Sequence, residues 1–388
     1  MHVLIAPDCF TGTLTATQAA GAIAAGWRSS APDDLLTLLP LSDGGPGFLD
    51  VISGALEGET VAVTVSDPLG RRVPAAVFLT EDEGGRTAWV ESAQAVGLHL
   101  LEASERDPGV TTSAGLGELL LAAVASGARR VVVGLGGSGT NDAGAGMLAA
   151  LGGTGEGFLV GGGLGLGSVA PDDVAGVVDA AREALAGVEV VAATDVEVPL
   201  LGLDGASANF AAQKGASPEL AQQLERSLGH FVSVLSGVHP APTDLLTGRP
   251  RRLDREPGAG AAGGIGYGLL VLGARRVSGV DLTLEAVGID DLLAAADLVV
   301  TGESSLDWQS RQGKVASGVC AAAGRHGTPV VIIAGRVQLG RREAMAMGAS
   351  GVYAVAESLA EVDASLADPV PRLTDRAARV ARTWSPRR

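Results

Sequence analysis

The sequence predicts an α/β protein of two domains: a doubly wound, Rossmann-like parallel sheet with a second α/β domain inserted into it. Three observations predict this. Short β-branched runs alternate with Ala/Leu-rich stretches along the chain. Those runs are apolar throughout, as strands buried on both faces by crossover helices must be. One region, residues 58–92, instead alternates with a period of two around Gly and Pro turns, the signature of antiparallel hairpins.

Taken in order, the parallel strands are HVLIA (2–6), a weaker LLTLLP (35–40), RVVVGLG (130–136), VEVVAA (188–193), DLVV (297–300), PVVIIA (329–334) and GVYAV (351–355). The hairpin strands are ETVAVTV, RVPAAVFL and RTAWVE, separated by turns at SDPLG and EDEGG. Residues 153–168 read as a glycine-rich loop, and residues 240–258 as an exposed connection. The doubly wound domain is assigned 1–56 and 281–388, and the inserted domain 57–280. A chain of 388 residues has room for both. With 57 glycines and 3% aromatics, its cores must be built from Ala, Val, Leu and Ile.

Composition excludes several functions. The formal charge is -16, and no basic cluster is present to hold nucleic acid or an anionic membrane. Two cysteines, Cys9 and Cys320, make no disulfide framework and no CxxC metal pattern. The start MHVLIAPD lacks a basic leader region, and Arg129 and Arg130 interrupt the best apolar run. These features read as a cytoplasmic protein.

The residues just past each strand carry the chemistry, because ligands of such sheets sit beyond the carboxyl ends of the strands. HVLI runs into Asp8, LLTLLP into Asp43, RVVV into Asn141 and Asp142, VEVV into Asp195, and DLVV into Glu303 and then Asp307. Taken singly, each such Asp is explained by helix N-capping. The series indicates a polar site fed by several strands.

Two glycine runs, GLGGSG (134–139) and GAGAAG (258–263), fit GxGxxG. The second follows a polar connection and not a strand; the first follows a strand, but the region after it, where an acid ending a second strand is needed, is the glycine loop with Glu156 and no strand. A nicotinamide site is therefore not supported. No GxxxxGK[ST] occurs, since the lysine of RQGKV precedes valine. The strand, the turn at Gly136 and Gly137, and then Ser138, Thr140, Asn141 and Asp142 leading into DAGAGMLAAL would aim backbone N–H groups at an anion. The second run, with Gly260, could do the same. Close helix packing through small residues explains both runs equally well. The chain has only two lysines, Lys214 beside Gln213 and Lys314; every other cation is arginine. A lysine is a compact point charge that suits a phosphate oxygen, where arginine is a fork.

The segments IAPDCFTGTLTATQAA, LSDGGPGFLD, VTTSAGLGEL, GLGGSGTNDAGAGMLAALG, QKGAS, PGAGAAGGIGYGLL and LVVTGESSLDWQSRQGKVASGV, with ATD, PLLG and VVIIAG, occur in one order over nearly the whole chain. In this the sequence resembles the bacterial glycerate kinases of the first type. The resemblance implies two α/β domains with a cleft between them, and transfer of the γ-phosphate of ATP to D-glycerate with Mg²⁺, giving 2-phosphoglycerate. It implies a small acid substrate and a nucleotide as partners, with a homodimer as the assembly. Asp8, Asp43, Asp195 and Asp307 would line the cleft, with Lys214 and Lys314 as phosphate or carboxylate ligands, Asp195 or Asp307 as base, and Glu303 on the metal.

The chain also departs from the family pattern. Cys9 and Thr11 stand where serine and lysine are usual, and Pro46 and Phe48 where glutamate and threonine are. Ala114 and Ser305 replace arginines, Val198 an asparagine, and Ala211–Ala212 a Gly-Pro pair. The expectation is a weak or respecified kinase with Arg311 and Arg336, in nearby loops, as substitute cations. The alternative is a non-catalytic descendant that binds a nucleotide or small acid as a regulator or partner subunit.

Overall fold

The computed structural model describes residues 1–153, 157–244, 248–308 and 314–385. Its strands are β1 (His2–Ile5), β2 (Leu35–Leu38), β3 (Glu59–Ser66), β4 (Arg72–Asp82), β5 (Gly85–Glu91), β6 (Arg130–Gly134), β7 (Glu189–Ala193), β8 (Arg275–Val277), β9 (Leu298–Leu306), β10 (Val330–Val337) and β11 (Gly351–Ala354). The chain divides into two compact units. The first comprises Met1–Asp43, Asp50–Leu56 and Ser278–Arg388, the second Gly44–Leu49 and Glu57–Val277.

The first unit holds a five-stranded sheet in the order β11-β10-β9-β1-β2, and every pairing in it is parallel. Successive residues face opposite sides of a strand, and here each side has its own core. Val3 and Ile5 of β1 join Val300 and Ile333 against the helices Ala16–Ser30 and Pro369–Trp384, packing on Ile23, Trp27 and Val380. Leu4 joins Val299 and Ile332 on the other face, against Leu284, Leu293 and Val319 from the helices Gly279–Ala286, Ile289–Ala295 and Val315–His326. Each fully buried aliphatic side chain contributes roughly 1.5–3 kcal/mol, which is why the strands read as unbroken apolar runs. The first two helices lie so close that a Cβ on Gly26 would meet the Thr374 carbonyl. This is the doubly wound arrangement the sequence predicts.

The second unit holds a six-stranded sheet in the order β3-β4-β5-β6-β7-β8. Its first two pairings are antiparallel and the other three parallel, so the hairpins form where the period-two pattern places them. At the first turn Asp67 accepts from the backbone N–H groups of Leu69 and Arg71, at 2.8 and 2.9 Å. One strand has no sequence signal: β8 is three residues long and two of them are arginines. The glycine-rich stretch is more ordered than a loop reading allows. From Phe158 to Ser168 it forms short helical turns pinned by the buried Leu159 and Leu166. The 240–258 connection is largely exposed where described, apart from Gly258 and Asp254, which are buried; Arg252 holds Asp254 at 2.9 Å. Among the described residues no helix is long and apolar enough to cross a membrane.

Candidate active site

In the first unit the strand order reverses between β1 and β9, and ligands of doubly wound sheets bind at that switch point. Asp8 lies just past the end of β1, where its N–H continues the ladder to the Gly302 carbonyl of β9 at 2.8 Å. Glu303 is the next residue of β9 and is buried. Asp43 follows β2. Burial raises the Asp8 carboxyl well above the ordinary carboxylate range, and the negative charges of Asp43 and Glu303 push it the same way, against a 2.7 Å hydrogen bond from the Cys9 N–H. Lys314, at the start of the helix Val315–His326, reaches Glu303 at 3.5 Å. Burial and the same two aspartates, Asp8 first, hold the Cys9 thiol protonated.

Of the residues the strand ends single out, Asp8, Asp43 and Glu303 gather at one edge of this sheet, with Lys314 beside Glu303. Asp307 stands one residue beyond β9. Ser305 pairs in register with Arg336 of β10. In-register neighbours share a face of the sheet, so an exposed guanidinium stands beside the position where the family pattern has arginine. Arg336 is thus a strand residue and not a loop residue. Arg311 and Glu156 lie outside the described residues.

The second unit organises the GLGGSGTND segment differently from the sequence reading. The helix after it spans only Ala145–Leu151, and its first N–H groups are already taken. The buried Asp142 carboxylate accepts from the N–H and hydroxyl of Ser113, each at 2.8 Å, and from the N–H groups of Gly144 and Gly146, each at 3.2 Å. The Ser113 hydroxyl accepts from Met147 N–H at 3.0 Å. The expected anion site at this helix end is therefore closed by the protein's own side chains. Asp142 is an internal cap, its carboxyl raised by burial in spite of the bonds it accepts.

Lys214 is turned inward, 2% exposed, on a short turn after the helix Ala206–Phe210. Its Nζ donates to the Thr140 carbonyl at 2.6 Å and lies 3.0 Å from Ser138 Oγ. Burial lowers its pKa to about 7, with the Asp142 charge opposing. Gln213, by contrast, is exposed. Gly136 and Gly137 run close beside Gly45 and Pro46, and Gly260 is buried with any Cβ blocked by the Pro199 carbonyl. Asp195 follows β7, partly buried.

Sequence reasoning missed three features of this unit. Glu91, buried at the end of β5, accepts from the N–H groups of Gly47 and Leu49 at 3.1 Å and so fixes the turn that carries Pro46. Ala143 and Ala262 have left-handed backbones, at φ 53° and 52°. Ala262 begins a left-handed turn with Gly263 and Gly264, and the Gly263 carbonyl accepts from Ala143 N–H. An L-residue in that region costs roughly 1 kcal/mol or more, and such strain clusters at functional sites. The expected outcome of Ala262→Gly is therefore a gain of about 1 kcal/mol in unfolding free energy. A lower melting temperature would contradict it.

Similarity to known proteins runs the length of the chain. The profile of the Glycerate kinase family matches residues 3–385. A glycerate kinase of Bacillus subtilis (strain 168) is 41% identical over 342 residues, 87% of this chain and 85% of the relative. A glycerate 2-kinase of Escherichia coli (strain K12) is 37% identical over 372 residues, 94% of this chain and 92% of the relative. A crystal structure from Salmonella typhimurium LT2, carrying a glycerate kinase 2 designation, superposes with a TM-score of 0.73 at 35% identity, covering 99% of this chain and 98% of that one. With its two parallel-dominated sheets and its matching motifs, the chain belongs to the glycerate kinase family.

Proposed function

We propose that the protein transfers the γ-phosphoryl group of ATP to the 2-hydroxyl of glycerate, or of a closely related hydroxy acid, with Mg²⁺, yielding 2-phosphoglycerate and ADP. The observation that carries the reading is the gathering of Asp8, Asp43 and Glu303 at the β1–β9 switch with Lys314 on Glu303. Carboxylates held close enough to repel one another are stable hosts for a cation, and hard oxygen ligands suit Mg²⁺. Among the described residues no group of three or more such side chains is set to chelate a metal by itself. That fits an ion held by one or two carboxylates together with nucleotide phosphates, as Mg²⁺ is in phosphoryl transfer. When bound, the ion supplies positive charge to the phosphate oxygens.

The chain's own residues supply position and charge. Glu303 and Asp43 would hold the cation. Lys314, which lies 3.5 Å from Glu303, would pair with a phosphate oxygen. Asp307, just past the end of β9, is assigned as the carboxylate that orients the acceptor hydroxyl; Asp195, the other candidate, stands in the second unit. Arg336 takes the substrate carboxylate in place of the arginine that Ser305 lacks. ATP as donor supports a cytoplasmic location.

The test is ADP release from ATP, Mg²⁺ and D-glycerate, with each left out in turn. ADP should form only when all three are present, and EDTA should stop it. ADP release indifferent to glycerate would remove the acceptor assignment. No release from a protein that still binds ATP would favour the non-catalytic reading. An Arg336→Ala variant is expected to raise the KM for glycerate about tenfold or more, from the loss of one charged hydrogen bond of roughly 1.5–3 kcal/mol. An unchanged KM would remove Arg336 from the substrate site.

A further inference from the structure

We infer that Ser138 and Lys214 form a serine–lysine nucleophile pair, and that Ser138 accepts a phosphoryl group from ATP on its Oγ. The inference takes its phosphoryl donor from the kinase reading above and adds a covalent modification site to it.

The geometry is that of a base seated on a hydroxyl. Ser138 Oγ lies 3.0 Å from Lys214 Nζ, and the same nitrogen donates to the Thr140 carbonyl at 2.6 Å. On the remaining side stands Gly263, where an added Cβ would come within 2.8 Å of the nitrogen. An ammonium would donate to both oxygens. An uncharged amine donates one N–H to the carbonyl and keeps a lone pair that accepts the Ser138 proton. Burial makes that form reachable, bringing the ammonium down to about 7. The titratable group whose charge reaches Lys214 is Asp142, which opposes that shift. The 138–141 turn presents hydroxyls, an amide and a carbonyl, and the 261–271 helix presents Gly263. This answers why the position is lysine: a guanidinium stays charged and has no lone pair to offer. A hydroxyl within hydrogen-bond reach of a near-neutral amine is an activated nucleophile.

A second observation points to a group bound here. Thr140 Oγ1 and Asn141 Oδ1 are buried without a hydrogen-bond partner among the described residues, although Asn141 Nδ2 donates to Ser207 Oγ at 3.0 Å. Unused buried capacity of this kind calls for an explanation, and a phosphoryl oxygen would accept from the Thr140 hydroxyl. Ser138 itself is 5% exposed and follows the exposed Gly137.

In the step, the Ser138 hydroxyl proton passes to the Lys214 lone pair while the Oγ–P bond forms. The bond from phosphorus to the ADP oxygen breaks, and ADP leaves with that electron pair. The products are a phosphoserine and a lysine ammonium, opposite charges side by side.

The experiment incubates the full-length protein with γ-labelled ATP and Mg²⁺ without glycerate, and maps the label by peptide mass spectrometry. Glycerate-dependent turnover is measured on the same preparation. One phosphoryl group should appear on the peptide containing Ser138. Its rate should rise about tenfold per pH unit below about 7 and level off above it. Ser138→Ala should abolish the label, and Lys214→Met should slow it roughly a hundredfold or more, the usual weight of a general base. The wild-type pH profile carries the test by itself if Lys214→Met does not fold. No label on Ser138 in a preparation that turns over glycerate overturns the inference alone. A flat pH profile removes Lys214 as the base and overturns the pair. Absence of both label and turnover overturns the inference together with the kinase reading.

Discussion

Asp142→Ala is expected to lower the unfolding free energy by about 3–5 kcal/mol, more than any other single substitution proposed for this protein. The carboxylate accepts four hydrogen bonds in a fully buried setting, from Ser113 N–H and hydroxyl and from the N–H groups of Gly144 and Gly146. Removing it strands those donors, at roughly 1–3 kcal/mol for each one left unsatisfied. Relief of the buried charge offsets part of that cost, which keeps the sum below the full four-bond total. Urea unfolding measures the change. A loss under about 1 kcal/mol would mean the donors find other acceptors.

The pH dependence has a definite sign. Burial raises the Asp142 pKa above its unfolded value, so between those two values the folded state keeps a proton that the unfolded state has lost. Stability contributed by this group therefore falls as pH rises through that window, and the burial cost is complete above the folded pKa. Asp142→Asn should remove that slope while keeping one acceptor oxygen.

Asp8→Asn is expected to act in opposite directions on activity and stability. Burial first, and then the negative charges of Asp43 and Glu303, disfavour the ionised Asp8 carboxyl. Neutralising it relieves that repulsion and should raise the unfolding free energy by about 1 kcal/mol, as functional residues often do when replaced. In the same variant the cluster of Asp8, Asp43 and Glu303 loses one charge-assisted contact toward the cation. At roughly 1.5–3 kcal/mol per contact, kcat/KM should fall about ten- to a hundredfold or more. Melting curves and turnover on one preparation decide it. Loss of both stability and activity would make Asp8 a structural residue, and unchanged turnover would remove it from the site.

Much of the first unit is legible in the sequence because its physics is local. β1, β9 and β10 are buried on both faces, so HVLI, DLVV and PVVII carry no polar interruption, and acids follow the first two at the carboxyl edge of the sheet. The β3–β4–β5 hairpins are legible for the opposite reason, since their alternation reports one buried face. β8 is not legible, because RRV has neither an apolar run nor alternation and forms at the sheet edge by pairing with β7.

The second unit's site is less readable because its determinants are far apart in the chain. Lys214 meets Ser138 across 76 residues, and Ser113 reaches Asp142 across 29. The DAGAGM segment looks like an open helix start, yet its own first residue closes it once Ser113 is in place. Ala262 gives no local sign of its left-handed turn; only the glycines that follow it do.

The kinase reading is tested most directly by ³¹P NMR of the reaction with ATP, Mg²⁺ and D-glycerate. The γ-phosphate signal of ATP should be replaced by the phosphate ester signal of 2-phosphoglycerate, in step with ADP. Inorganic phosphate as the only new signal, or a spectrum unchanged while the protein remains folded and binds ATP, would contradict it.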